Sequence, residues 1–156
     1  MGISRGAGTE IIRCASFEHV NGGADRKLIV GVQHHIYTIL SIIIYCDTLN
    51  GATDTVDLAI KEYDSFGGAT GEANRIFKQN IPAQGTFVWD DRFSFNGYEP
   101  VNFGTSGITS APLSAADQQD AIADQGSSVV QSLEFTPSSS SSYYDLSITF
   151  IDQNNA

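Results

Sequence analysis

The chain has 156 residues, of which 41% are hydrophobic and 10% aromatic, and its 8 Lys and Arg residues face 18 Asp and Glu residues. This length suits one domain with a sizeable core, and the composition excludes a disordered chain. The formal net charge of −10 argues against direct binding to nucleic acid or to an anionic membrane, because both need clustered positive charge. Arg92 is the last Lys or Arg in the sequence, so every charged residue after it is an Asp or a Glu.

The cysteines and the N-terminus indicate a protein made in a reducing cytosol. Cys14 and Cys46 lie in apolar strand-like segments, where free cysteines act as small hydrophobic residues. No Cys-x-x-Cys pair or Cys/His cluster predicts structural zinc. Residues 1–8 are Gly-rich, lack the apolar stretch of a secretory signal, and are expected to form a flexible arm.

Strand-like segments then follow one another, separated by turn signals. Val, Ile, Thr, Phe and Tyr are frequent in them, which favours strands over helices. The predicted strands cover 10–18, 27–33, 36–46, 55–63, 72–79, 86–89, 93–95, 127–135 and a last segment around 144–150. We expect Asp90–Arg92 to turn the chain back on itself, and Asn96-Gly97 to form a hairpin-like turn.

The segment 36–46 is the strongest strand and is apolar on both sides. Its even positions run from Ile36 to Cys46, and its odd positions run from Tyr37 to Tyr45. A strand apolar on both faces is typical of a central strand that is covered on both sides, with a partner subunit able to supply one cover.

The segment 103–126 interrupts the strand pattern. Ser114 can cap a short helix that ends before Gly126, so we predict a loop insertion with one short helix. The run 138–142 is all serine and predicts a flexible loop. The expected architecture is a single all-β domain over 9–152, an antiparallel sandwich with jelly-roll-like topology and about eight strands, followed by a polar tail at 153–156.

No residue pattern predicts catalysis, a cofactor or a metal. His34 and His35 are adjacent on a strand and point to opposite faces, so they would chelate poorly. Asp90 and Asp91 adjoin at a turn and would splay into water. A calcium site would need oxygen ligands, and the residues considered for it are Asp47, Asn50, Asp54 and Asp57. Their spacing does not match that of an EF-hand loop.

Aromatic residues are dense between 87 and 103, where they fit a core or a subunit interface. An exposed flat row containing Trp89 and Tyr98 would instead suit stacking on a sugar. The side chains chosen as interface candidates are Ile39, Ile43, Tyr45, Trp89, Phe95 and Tyr98.

Three segments resemble a group of small virion proteins of tailed bacteriophages. They are IYTILSI at 36–42, IPAQGTFVWDD at 81–91 and DLSITFID at 145–152, within a likeness that spans 34–95 and 143–153. The stretch 103–142 departs from the compact members of that group. The resemblance implies a β-sandwich built into a virion, either a capsid decoration (cement) protein or a neck or tail component, and it offers no catalytic residues to carry over.

The leading hypothesis is therefore a non-enzymatic virion subunit, assembled in the bacterial host cytoplasm. Its partners would be the major capsid protein or other virion subunits, together with further copies of itself. The alternatives are a neck or tail component, a carbohydrate-binding β-sandwich and, ranked last, an enzyme that joins residues such as His34 and a distant acid.

Overall fold

The computed structural model describes residues 8–23, 26–63, 70–99 and 129–154. These residues form eleven strands and no helix. The strands are β1 (Thr9–Val20), β2 (Arg26–Val30), β3 (His35–Thr48), β4 (Val56–Tyr63), β5 (Thr70–Gln79), β6 (Thr86–Trp89), β7 (Phe93–Asn96), β8 (Tyr98–Glu99), β9 (Val129–Val130), β10 (Ser132–Pro137) and β11 (Tyr143–Asn154). The predicted arm at 1–8, except for Gly8, and the insertion at 103–126 with its helix lie outside the described residues.

The strands build two antiparallel sheets in a jelly-roll order. Sheet A has the order β1-β11-β3-β6, with β7 also on β3, and sheet B has the order β2-β10-β4-β5. The short pair β8-β9 stands beside them. Counting β6 and β7 as one, eight strands cross between the sheets in the sequence of a double-sheet jelly roll. The predicted all-β antiparallel sandwich is thus confirmed.

The core lies between the two sheets, and β11 shows why the sequence forms it. Tyr144, Leu146, Ile148 and Phe150 alternate with more exposed residues and are all buried, as predicted. The same alternation brings Asp152 inside at 8% exposure, and the strand continues to Asn154. A period of two residues places every second side chain of a strand on the same face.

β3 covers the predicted strand, but its buried face changes sides through a β-bulge. Ser41 pairs with Thr149 and Ile39 with Phe150, so Leu40 is the extra residue. Odd positions such as Tyr37 point inward before the bulge, and even positions such as Ile42 point inward after it. The strict even and odd faces expected for 36–46 are therefore wrong, because an inserted residue shifts the alternation by one.

The predicted turn at Asp90–Arg92 does not reverse the chain. β6 pairs with β3 from Ile42 to Tyr45, and β7 pairs with β3 from Ile36 to Ile39, both antiparallel. The two strands thus follow one another along the same edge of β3. Residues 90–92 interrupt that edge at the level of the β3 bulge, where regular pairing fails.

Gly97 is a close crossing of two chain segments and not a hairpin turn. A Cβ on Gly97 would lie 2.2 Å from the Val32 carbonyl oxygen, and one on Gly31 would lie 2.0 Å from the Gly97 oxygen. The Gly97 N–H donates to the His35 carbonyl at 2.9 Å. This crossing begins at Gly31, so β2 ends at Val30 and not at the predicted residue 33.

The serine loop after β10 is tied to its neighbours. Ser138 Oγ accepts from the Thr55 N–H at 2.9 Å, and the Ser138 N–H donates to the Thr55 carbonyl at 2.8 Å. Ser142 is fully buried, and its Oγ accepts from the Asn50 N–H at 2.9 Å. The expected flexible loop is instead anchored by side-chain hydrogen bonds, which serine-rich turns commonly supply.

Candidate assembly surface

The outer side of sheet A carries no charged side chain in its central rows, as far as the described residues go, and we call this outer side the A face. The register between strands aligns its residues in rows. One row contains Ser16, Ser147, Ile43 and Val88, another contains Cys14, Thr149 and Ser41, and a third contains Ile12, Ile151, Thr38 and Ser94. Hydroxyl pairs cross the strands, as in the 2.8 Å contact of Thr38 Oγ1 with Ser94 Oγ.

Three of the six exposed large hydrophobic side chains among the described residues lie on this face. Ile12 is 69% exposed, Ile43 47% and Val88 53%. Among the described residues, carboxylates lie at its ends, where Glu10 faces Gln153 at one end and Glu18 and Asp145 lie near Tyr45 at the other. In a chain with a net charge of −10, a neutral face of this width is a surface that can approach another protein without charge desolvation.

A groove of about 440 Å³ runs along β11 at one end of the A face. It forms because small Ser147 lies between the bulky Ile43 and Tyr45 on one side and residues of β1 on the other. The lining residues are Ser16, Phe17, Glu18, Ile43, Tyr45, Asp145, Leu146 and Ser147. Its apolar walls and two rim carboxylates suit an inserted side chain from a protein neighbour.

Four of the six predicted interface residues fall into two groups. Ile39 and Phe95 are buried in the core of the chain itself, at 0% and 7% exposure. Ile43 and half-buried Tyr45 lie on the A face, where a partner can reach them. The bulge in β3 separates them, since it turns Ile39 inward and Ile43 outward.

The aromatic row that would suit sugar stacking does not form. Trp89 pairs with inward-facing Ile42 and packs on Phe77, with ring centroids 5.4 Å apart. Its Nε1 is buried without a hydrogen-bond partner among the described residues. Tyr98 lies on β8, which belongs to neither sheet of the sandwich. The two rings therefore do not share a face.

A hydrogen-bonded charge cluster lies at the opposite end of the sandwich. Asp152 accepts from Arg13 Nε at 3.0 Å and lies 2.6 Å from His35 Nδ1. The side chains of Asp152 and His35 are 10% and 17% exposed. The cluster joins β1, β3 and β11. Sequence reasoning found no acid for the histidines, although the inward alternation of β11 continues to Asp152 and could have revealed it.

Tyr37 lies beside this cluster and is buried. Burial raises the pKa of its phenol, the carboxylate of Asp152 adds to the rise, and the hydrogen bond from the Val32 N–H opposes it. No Ser, Thr or Cys side chain in the described part of the chain hydrogen-bonds to His35, so the arrangement lacks the nucleophile of a triad. A cluster of this kind fixes the ends of strands to one another.

The residues considered for calcium are engaged separately. Asp54 Oδ2 accepts from Ser142 Oγ at 2.6 Å and from the Gly51 N–H at 2.9 Å, and these hydrogen bonds lower the pKa of that carboxyl. Asp57 pairs with Arg75 Nε at 2.7 Å on the next strand. Within the described ranges, no group of three or more His, Cys, Asp or Glu side chains is arranged to hold a metal ion.

The outer side of sheet B is charged, in contrast to the A face. Glu134 on β10 is buried at 5% exposure, and its carboxylate lies 3.2 Å from Lys61 Nζ and 3.9 Å from Lys27 Nζ. Arg75 and Asp57 pair on the same side. Charged side chains keep this surface hydrated, and therefore the A face is the better candidate for a protein interface.

The sequence matches no family model, and no curated protein matches it. A protein of Bacillus endospore appendages, which form disulfide-linked pili, is similar in structure at a TM-score of 0.45 and 11% identity, over 100% of this chain and 97% of that one. Two virus structures are also similar. The match to the T13 particle of IBDV has a TM-score of 0.40 and 7% sequence identity, over 94% of this chain and 36% of that chain. The match to the Gx strain of infectious bursal disease virus has a TM-score of 0.35 and 11% sequence identity, over 96% of this chain and 34% of that chain.

These neighbours come from pili and viral particles. With TM-scores below 0.5, they carry no argument about the function of this chain.

In the described residues, no helix is long and apolar enough to cross a membrane.

Proposed function

We propose that the chain is a non-enzymatic structural subunit that works by packing against other proteins through its A face. At the finer level, we propose a capsid decoration protein of a tailed bacteriophage, assembled in the bacterial cytoplasm onto the major capsid protein. A neck or tail position in the same particle is the alternative that the sequence resemblance leaves open.

The observation that carries the proposal is the A face, whose central rows are uncharged and which exposes Ile12, Ile43 and Val88. Exposed aliphatic side chains on a sheet face with uncharged central rows favour contact with another protein. Burying apolar surface there would stabilise a complex by about 25 cal/mol per Å² before the costs of association. The jelly-roll order supports a structural role only by analogy, because one fold serves many functions.

The test introduces one charge on each side of the sandwich. Val88→Lys places an ammonium group on the A face, and Val30→Lys places one on sheet B at matched exposure, 53% against 56%. We expect sedimentation velocity to show that the wild type self-associates, that Val88→Lys weakens association at least about tenfold, and that Val30→Lys leaves it unchanged. Equal effects of the two variants would contradict an A-face interface.

The proposed role as a decoration protein is tested with phage particles. Fluorescently labelled protein should bind to expanded capsids of a tailed phage, and Ile43→Lys should abolish this binding while circular dichroism stays that of the wild type. A wild-type chain that remains monomeric and binds neither capsids nor tail assemblies would overturn the virion role. Binding to tails alone would replace decoration by the tail alternative.

A further inference from the structure

Strand β1 forms one margin of sheet A and leaves a long backbone edge exposed. It has 12 residues and pairs with β11 from Thr9 to Phe17 without a register shift. No other strand in the described part of the chain pairs with it. In an antiparallel sheet, alternate N–H and C=O groups of such a strand point away from its neighbour, and they are a template for another strand.

Over Thr9–Phe17, this edge lacks most of the usual protection against pairing, because the irregularity of β1 lies beyond that stretch, between Phe17 and Val20. β1 contains no Pro and no Lys, and its one basic side chain, Arg13, is turned to Asp152. Ile11 and Ile12 are 45% and 69% exposed. Long edges in natural proteins are normally blunted by Lys, Pro or a bulge, so an open apolar edge of this length is suited to accept a strand.

The other edges of the sandwich fit β1 poorly as partners. β2 has 5 residues, and β6 and β7 have 4 each and are interrupted between them. β5 is longer, with 10 residues, but a β-bulge breaks its regular pairing, since Phe77 pairs with Leu58 and Arg75 with Ala59 and Ile76 is the extra residue. A long stretch in regular register, Thr9–Phe17, is found on β1 itself, which makes a second copy of the chain the best occupant.

We propose that β1 pairs antiparallel with β1 of a second copy about a two-fold axis, which doubles the width of sheet A. This inference rests on the proposed structural role and names the partner at one border of the A face. A two-fold axis makes the contact self-complementary and closed, so it yields a dimer and not a fibre.

Charge and face restrict the register of this pairing. Opposed residues must lie on the same sheet face. One strand can therefore shift along the other only in steps of two residues, and each step moves the two-fold axis by one residue. A register centred on Arg13 opposes two guanidinium groups, and one centred on Cys14 sets Glu10 against Glu18. A register centred on Ile12 avoids both contacts and sets Glu10 of one copy opposite Cys14 of the other.

The apolar side chains favour the same register. Ile12, the most exposed of the large hydrophobic residues described, meets its own counterpart when it lies on the axis. Centring the pair on Ile11 would set Ile12 against Glu10, and centring it on Ala15 would set Ile12 against Glu18. We therefore assign the two-fold axis to Ile12.

Native Cys14 provides a direct test. In the proposed register, Glu10→Cys lies opposite Cys14 of the second copy, where Cβ atoms are about 4.5–5.5 Å apart and a disulfide can form. The two native Cys14 residues are four positions out of line, about 13 Å, and cannot reach each other. Cys46 is fully buried and does not compete.

Mild oxidation followed by non-reducing electrophoresis measures the result. We expect a covalent dimer of Glu10→Cys, and none of the wild type, of Glu18→Cys or of Glu10→Cys combined with Cys14→Ser. Rapid dimerisation of the wild type through Cys14 would overturn the register. A self-associating protein in which Glu10→Cys forms no disulfide dimer would overturn the β1 pairing centred on Ile12 while leaving the A face intact.

A second readout separates this inference from the proposed function. Adding Val88→Lys to Glu10→Cys should remove higher assembly but keep the disulfide dimer, because Val88 lies on β6 at the far side of the sheet. A strictly monomeric wild type that neither cross-links as Glu10→Cys nor binds particles would overturn both proposals.

Discussion

Asp152 joins the edge strand β1 to the inner strand β3 of sheet A. Its carboxylate accepts a hydrogen bond from Arg13 on β1 and contacts His35 on β3. Arg13 is half exposed, and solvent weakens its ion pair, so the more buried His35 contact should contribute most of the stabilisation. This arrangement makes the end of the sandwich depend on one acid.

We expect Asp152→Ala to lower the free energy of unfolding by about 2 kcal/mol, because hydrogen bonds to a charged group are lost from a buried place. Urea unfolding followed by fluorescence measures the change. Glu10→Ala, on the same sheet but with an exposed side chain, is the control and should cost less than about 0.5 kcal/mol. Equal costs for the two variants would contradict the role assigned to Asp152.

Tyr144 is a second residue whose environment sets a measurable property. Burial, followed by the influence of Cys46 and Asp54, raises the pKa of its phenol from 10.0 to about 12. The hydroxyl is near Ser142 and Cys46 but makes no hydrogen bond of good geometry with any described residue. A folded-state pKa above the unfolded one means that the stabilisation is complete below pH 10.0 and is lost as pH rises toward 12.

We therefore expect Tyr144→Phe to keep the stability of the wild type at neutral pH within about 1 kcal/mol, since no well-formed hydrogen bond is removed. Between about pH 9 and about pH 11, the variant should lose less stability than the wild type. Denaturant midpoints across that range measure this. Tyr143→Phe is the matched control, and a similar gain there would count against the assignment to Tyr144.

At the scale of single residues, alternation predicted the inward side of β11 but not the contacts made there. The buried set from Tyr144 to Phe150 follows from a period of two, and continuing it by one step reaches Asp152. The meeting of Asp152 with His35 depends on pairing between strands that are 117 positions apart in sequence. No local pattern encodes such a distance.

At the scale of elements, the close crossing at Gly97 limits which substitutions the fold accepts. A Cβ there would overlap the Val32 backbone, and backbone cannot move aside as a side chain can. We expect Gly97→Ala to destabilise the fold by about 1–3 kcal/mol through overpacking. Gly23→Ala is the comparison, because its added Cβ would meet only the Asn21 side chain, at 3.1 Å. Thermal unfolding of both variants decides the point.

Strand positions were predictable from the sequence, whereas their irregularities were not. Residues 36–46 and 86–89 are rich in β-branched and aromatic side chains, and both form strands. The bulge at Leu40 and the interruption at 90–92 depend on how two strands fit side by side. A local turn signal such as Asp90-Asp91 cannot distinguish a reversal from a break within an edge.

At the scale of the whole molecule, the contrast between net charge and the A face has a measurable consequence. Two copies with a charge of −10 repel each other, whereas the A face itself contributes no ion pairs. Salt screens repulsion between exposed charges, with a Debye length of about 10 Å at 0.1 M. We expect self-association to strengthen between about 20 mM and about 300 mM NaCl. Weaker association at high salt would indicate an interface built on ion pairs.

The candidate surface could be anticipated only in part. The sequence showed that β3 is apolar on both sides, and this property correctly pointed to a strand whose second face needs an explanation. It could not separate Ile43, which lies outside, from Ile39, which lies inside, because the bulge between them is invisible in the pattern. The row of neutral residues across four strands depends on register, and register is a property of the assembled sheet.

The bulge at Leu40 also predicts how β3 responds to a change in length. Deleting Leu40 would join Ile39 to Ser41 and leave every remaining side chain on its present face, because the unpaired residue is the one removed. Deleting Ile43, two positions beyond Ser41, would push the adjoining residues to the wrong side of the sheet. This strand should therefore tolerate a shortening at one position that it cannot tolerate three residues further on.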